Sequence, residues 1–502
     1  MKNKLILISV CFLAVVQQGM TQTKISKPRV IITTDGEVDD QDSFIRFLLY
    51  TNEFDVAGLV YSSSQWHYAG DGKGTVFISE MPITAKLYGQ RTELRWPGTD
   101  WMQYFIGLYT KVYPNLTKHA KNYPAPNDLL AKVKVGNINF EGDMKFPTEG
   151  SDFIKKILLD EKPGPVYLQI WGGTNTVARA LKSIEEEYKS TSNWDAIYKK
   201  VSQKAVLYTV LDQDATYQNY VAPNWPNIRV IYNSTQFGCL AYPWPRVVPD
   251  ALKSYLGGPW FAKHIKFNHG PLLEKYFLYG DNQKIPGDPE HTQGNLEEAK
   301  KSGFIQYDFI SEGDSPSFFH FLNVGLRNME DASYGGWGGR FTRSEKNPTR
   351  WEDGLSSADY NPYTYKEDPT YSQTRWIDVL QNDFAMRADW CVKSYKKANH
   401  PPVVALKTAK NISAKPGVVI HLSGSAKDPD GNKVIYKWWQ YKEAGTYNKT
   451  IEIQNPENAD ASFIVPADSK KGETIHIILE VKDNGSPQLT RYQRVIITVL
   501  PQ

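Results

Sequence analysis

Between residues 29 and 62 the chain passes from strand to acidic turn to helix to strand, and that order restricts the fold more than any other stretch. Residues 29–34 (RVIITT) form a short β-branched run that stops at Asp35-Gly36. Residues 39–50 then place Phe44, Ile45, Phe47, Leu48 and Leu49 at helical spacing. Residues 55–62 (DVAGLVYS) read as the next strand. Strand, helix, strand implies a right-handed βαβ unit and a parallel sheet. The pattern recurs with strands at 164–171, 205–210 and 227–232 and a helix at 174–188.

At 502 residues the chain exceeds one compact core, and its 41% hydrophobic content suits a folded rather than a disordered chain. Residues 1–21 read as an export signal: Lys2 and Lys4 precede an apolar run over 5–16, and Gly19 and Thr21 offer small residues for cleavage. The run is too short for a good transmembrane span, and no later segment suits one. Export to the periplasm or beyond is therefore expected. Removal of Lys2 and Lys4 lowers the formal charge of +3 by two, which argues against nucleic acid as the main partner. Two cysteines remain, Cys239 and Cys391. Two buried thiols are the preferred reading, although an oxidising compartment permits a disulfide.

Residues 28–395 are assigned to one α/β domain, with a core over 28–330 and a loop-rich extension over 331–395. The Gly-, Trp-, Tyr-, Pro- and Asn-rich stretch 334–371 reads as long loop, and 377–395 as a closing helix. Residues 402–502 carry seven short strand signals (VVALKT, VVIHLSG, KVIYKWW, TIEI, ASFIV, TIHIILEV, YQRVIITV), separated by turns such as Asp428-Pro429-Asp430-Gly431. That spacing indicates an immunoglobulin-like β-sandwich with a core at Trp438 or Trp439. The Asp428/Asp430 pair reads as turn chemistry in preference to a Ca²⁺ site.

The acidic turn is Thr34-Asp35-Gly36-Glu37-Val38-Asp39-Asp40. Open α/β sheets bind ligands beyond the C-terminal ends of their strands. One aspartate there is explained by helix capping. Three in six residues repel one another and call for a cation, and a hard ion such as Ca²⁺ takes oxygen ligands. An EF-hand does not fit, because counting from Asp35 the sixth position is Asp40 rather than Gly and the twelfth is Arg46 rather than Glu.

The strand followed by D-x-x-x-D-D resembles the N-terminal fingerprint of the inosine-uridine nucleoside hydrolases. Residues 171–178 (WGGTNTVA) are similar to that family's turn into a helix, and 312–316 (EGDSP) to its late His-Asp-Pro segment. The terminal sandwich and the loop at 334–340 further resemble a secreted, cellulose-binding-type branch with a nucleoside-hydrolase-like domain. The resemblance implies an open, mostly parallel α/β sheet flanked by helices. It implies Ca²⁺ held by Asp35, Asp40, Asp314 and the carbonyl of Thr174. Asp35 is then also the general base, and Asp39, Gln65 and Asn175 meet the sugar. Several positions depart from the family: Thr33 replaces its first Asp, Ser64-Gln65 its Gly-Asn, and Gly313 its late His. Asp212-Gln213-Asp214 occupies the place of its sugar clamp, and Asp212 and Asp214 either bind sugar hydroxyls or cap a loop.

The chain has 14 Trp and 30 Tyr, and Trp66, Trp225, Trp244, Trp337 and Trp351 fall in loop-like sequence. A single Trp is usually core. Trp337 has four flanking glycines and little local core, which makes it a candidate stacking platform, with Arg340 beside it able to meet Asp314's cluster. His67 is either a loop histidine or a leaving-group acid. Three functions remain open: a Ca²⁺-dependent hydrolase of N-ribosyl or glycosyl bonds, a polysaccharide-binding protein on the same fold, and a structural part of a polysaccharide-processing assembly. The ligand in the first two is a carbohydrate or a nucleoside.

Overall fold

The computed structural model describes residues 27–502, so the expected export signal lies outside the described residues. Strands β1 (Arg29–Thr34) and β2 (Asp55–Tyr61) are followed by a small hairpin, β3 (Phe77–Ile78) and β4 (Gln90–Arg91). Then come β5 (Val133–Val135), β6 (Val166–Ile170), β7 (Ala205–Val210), β8 (Arg229–Asn233), β9 (Thr342–Arg343) and β10 (Arg350–Glu352). Eight of these form one sheet in the order β5-β2-β1-β6-β7-β8-β10-β9. Every pairing in it is parallel except that of β9 with β10. The fold is thus an open, mostly parallel sheet flanked by helices, as expected.

The central strands carry no polar face because helices cover both sides. β6 and β7 are buried at every position. The helix Val38–Tyr50 packs into one apolar cluster through Phe44, Phe47 and Leu48, while the helices Glu149–Leu159 and Asn175–Tyr188 fill a second cluster on the opposite face.

The stretch read as long loop is partly ordered into strands. β9 and β10 extend the sheet edge, and β11 (Asp359–Asn361) pairs with β12 (Lys366–Asp368) as a hairpin. Two or three residues per strand are too few to show a period, so composition pointed to loop. The closing helix is Ile377–Trp390.

The C-terminal strands are β13 (Val403–Leu406), β14 (Asn411–Ala414), β15 (Val419–Lys427), β16 (Val434–Gln440), β17 (Asp460–Ile464), β18 (Thr474–Asp483) and β19 (Thr490–Val499). They make two sheets, β13-β15-β17 and β14-β19-β18-β16. The expected strand TIEI is irregular apart from a bridge at Gln454, and Asn411–Ala414 takes its place by pairing parallel to β19. Trp438 lies in the sandwich's own core. Its neighbour Trp439 points the other way, against the α/β core, which also takes in Tyr441, Ile478, Leu489 and Tyr492. The sandwich therefore docks through a shared apolar seam. Among the described residues no helix is long and apolar enough to cross a membrane, and Cys239 and Cys391 are both buried free thiols.

Candidate functional site

The acidic turn lies at the C-terminal edge of the sheet. β1 ends at Thr34, and the helix Val38–Tyr50 opens with Asp39 and Asp40 in its first turn. Asp314 arrives from the far end of the domain, just before the short helix Ser315–Phe319. One carboxylate oxygen each from Asp39, Asp40 and Asp314 lies within 4.8 Å of the others. Asp40 also accepts the Thr34 hydroxyl, and Asp39 accepts that of Ser311 at 3.3 Å. Asp35 adjoins the trio but turns its Oδ2 toward His67 Nδ1, 3.5 Å away.

Burial raises the carboxyls of Asp39, Asp40 and Asp314 well above the usual range, and their mutual repulsion adds to it. Asp35 goes the other way: burial acts upward, but the bond to His67 and its charge outweigh it and hold the carboxyl low. For His67 burial acts downward, yet Asp288, Asp35 and Glu37 lift it to about 9. Arg95 donates to Asp288 twice at 3.1 Å and stands 3.9 Å from Glu37. Four carboxylates thus share a buried edge with one imidazolium. An all-oxygen donor set with excess negative charge fits a hard divalent cation.

Gly172 and Gly173 let the chain after β6 pass this cluster. A Cβ at Gly172 would meet the Asp35 side chain at 2.9 Å, and one at Gly173 would meet Asp214 at 2.4 Å. Thr174 is fully buried, its carbonyl accepts the Ala178 amide at 2.9 Å, and its hydroxyl has no partner. At Gly313, which stands where the family has histidine, a Cβ would lie 2.7 Å from Asp39 Oδ2, so a side chain there would displace that carboxylate.

A cavity of 370 Å³ opens over the carboxylates, walled by Glu37, Trp66, Arg95, Trp171, Gln213 and Tyr242. A larger one, 660 Å³, borders Asp288 among residues 282–298 and contains none of the clustered aspartates. Sequence reasoning did not reach Arg95 or Tyr242. Neither lies in a motif, and both are brought in by long-range packing. Tyr242 donates to Glu37 at 2.8 Å.

Several expected sugar contacts are corrected. Asn175 is fully buried, and its amide is used by Ser62, Ser63, Asn137 and Asp143. Gln65 accepts the Thr84 hydroxyl at 2.7 Å inside the fold. Asp212 holds the amides of Tyr217 and Gln218, and Asp214 those of Asn175 and Thr216, so both cap the loop. Burial lifts Asp214 to about 7. Gln213 between them is the residue that reaches the cavity.

Trp337 is 1% exposed and forms no platform. Its glycines permit close packing rather than exposure: a Cβ at Gly338 would sit 2.4 Å from the His320 amide. The ring faces the sandwich, with the Arg491 guanidinium 5.6 Å from it. Arg340 pairs with Asp359 at 2.8 Å, not with Asp314. Trp225 and Trp244 are core, Trp351 is half-buried on the sheet edge, and Trp66 lines the cavity.

Comparison with known proteins is consistent with this geometry. A solved nucleoside hydrolase-related protein from Saccharophagus degradans, described as associated with carbohydrate metabolism, is 27% identical with a TM-score of 0.69, covering 94% of this chain and 100% of that one. A plant nucleoside hydrolase is 12% identical with a TM-score of 0.32, covering 73% and 99%. No curated protein matches the chain. The family described as cellulose-binding Sde182, nucleoside hydrolase-like domain, matches residues 29–341, and the Sde0182 C-terminal domain family matches 419–499. The chain belongs to this family of cellulose-binding proteins with a nucleoside-hydrolase-like domain.

Proposed function

We propose that the protein is an exported, Ca²⁺-dependent hydrolase of glycosyl or N-ribosyl bonds that serves carbohydrate use. The observation that carries this reading is the convergence of Asp39, Asp40 and Asp314 beside Asp35, at the floor of an aromatic-walled cavity. Asp40 and Asp314, with Asp39 or Asp35, would hold the ion. Bound Ca²⁺ would make water in the pocket more acidic. Asp35, whose Oδ2 lies 3.5 Å from His67 Nδ1, is the carboxylate placed to accept the water proton. Neighbouring carboxylates stabilise positive charge developing on the sugar. Trp66 and Tyr242 limit access of bulk water. The leaving group cannot meet a side chain from Gly313, so Glu37, Arg95 and Tyr242 stand in its place.

A second reading, a polysaccharide-binding protein without turnover, is favoured by the missing late histidine and by the family's description. The two separate in one experiment. The purified protein is offered nucleosides and glucan oligosaccharides with Ca²⁺ or chelator, beside Asp35→Asn. A hydrolase loses roughly 10²–10⁴-fold of its turnover in Asp35→Asn while still taking up Ca²⁺. Turnover untouched by Asp35→Asn overturns the base assignment. Ca²⁺-dependent glycan binding with no product selects the binding protein.

A further inference from the structure

Where the β11–β12 hairpin meets the sandwich there is a third cavity, 440 Å³ in volume, formed by neither domain alone. That size falls within the range of about 300–1,000 Å³ found for small-molecule sites. Tyr360 and Tyr371 line it from the α/β side and Trp439 from the sandwich, with Arg375 between them. The Arg375 guanidinium stacks 5.3 Å from the Trp439 ring and 5.5 Å from that of Tyr371, which holds both aromatics in place.

Its charges are largely paired: Arg375 shares Asp359 with Arg340, each at 2.8 Å, and Lys442 and Glu443 at the rim are of opposite sign. The lining therefore selects for no ionic ligand. The exposed Tyr360 and the partly buried Trp439, with polar groups beside them, complement a sugar ring with its CH faces and hydroxyls.

The aromatic surface continues outward. Tyr363 packs edge-on to Tyr371, with ring centroids 6.4 Å apart. Tyr360, Tyr363 and Tyr365 are 41%, 49% and 78% exposed, all within six residues of one hairpin. Tyr365 sits at φ +58, a left-handed conformation that Asn or Gly adopts far more readily than an aromatic. A large apolar ring is thus presented to water at a position where packing asks for none.

We propose that this interdomain cleft and its tyrosine hairpin bind a neutral polysaccharide chain, as a site separate from the carboxylate pocket. The extension of aromatic surface past the cavity fits a chain rather than a single sugar. The inference rests on the carbohydrate reading above but not on turnover.

The test is retention of the full chain on microcrystalline cellulose, with cellohexaose titration as the soluble counterpart. The Tyr360→Ala/Tyr363→Ala double variant, and separately the more exposed Tyr365→Ala, should weaken retention, the double variant by about tenfold. Thermal midpoints should stay near that of the parent, since all three rings are on the surface. Asp40→Asn should leave retention unchanged. The proposal is overturned if the parent binds neither probe, or if all the tyrosine variants bind like the parent. It is also overturned if Asp40→Asn abolishes retention, which would assign binding to the carboxylate pocket. Loss of turnover in Asp35→Asn with retention intact bears on the hydrolase reading alone.

Discussion

At Asp359 a fully buried carboxylate is met by the guanidiniums of Arg340 and Arg375 and by the Tyr441 phenol at 2.6–2.8 Å; at Asp40 four carboxylates crowd one edge with a single imidazolium. Both regions bury charge. In the seam each carboxylate is met by two guanidiniums, and the seam ties domains together. At the sheet edge it is left in excess, which a fold tolerates where a ligand supplies the balance. Asp383 belongs with the seam: Arg387 and, from the sandwich, Arg491 face it at 3.3 and 2.9 Å.

The largest expected effect tests the seam. Asp359→Ala strands two guanidiniums and should cost about 3–5 kcal/mol in urea unfolding, as expected for a broken buried pair. Trp337→Ala should fall in the same range of roughly 3–5 kcal/mol, as a buried ring lost. Asp40→Asn in chelator should cost little or stabilise, because it removes repulsion. A mild Asp359→Ala together with a severe Asp40→Asn would invert the comparison.

Calcium sharpens it. At 100 times its dissociation constant Ca²⁺ should add about 2.7 kcal/mol. Differential scanning calorimetry should show the rise in the parent and its loss in Asp40→Asn and Asp314→Asn. No rise in the parent would remove the metal from the site.

A smaller effect is the pH dependence, and its sign differs between the regions. Burial acts upward on Asp383, but Arg491 and Arg387 outweigh it and hold the carboxyl below 3.8. Its contribution is present above 3.8 and lost as pH falls through the lower folded value. Asp39, Asp40 and Asp314 are raised above 3.8. Their contribution is present below 3.8 and lost as pH rises through the folded values. In chelator, urea midpoints should therefore decline as pH rises above 3.8, and Ca²⁺ should remove that decline. A flat profile in chelator would mean the carboxylates do not repel as placed.

The smallest expected effect is none: reductant should leave the thermal midpoint unchanged, since Cys239 and Cys391 are free. A drop would reveal a bond between them.

What was legible in the sequence was local. Residues 29–34 and 205–210 are strands because a short run rich in β-branched residues, covered on both faces, leaves no alternative period. β15 shows alternate burial because one face is wet. The acidic turn was legible because Asp35, Asp39 and Asp40 fall where a strand hands over to a helix. Tertiary structure decided the rest. Asp39 meets Asp40 and Asp314 while Asp35 turns to His67, and Arg95 and Tyr242 enter the cavity from distant loops. Trp337 disappears into the seam. Periodicity records whether a residue is covered, but what covers it depends on segments far away in the chain. The Arg491–Asp383 pair and the cleft at Tyr360 and Trp439 exist only once the two domains dock.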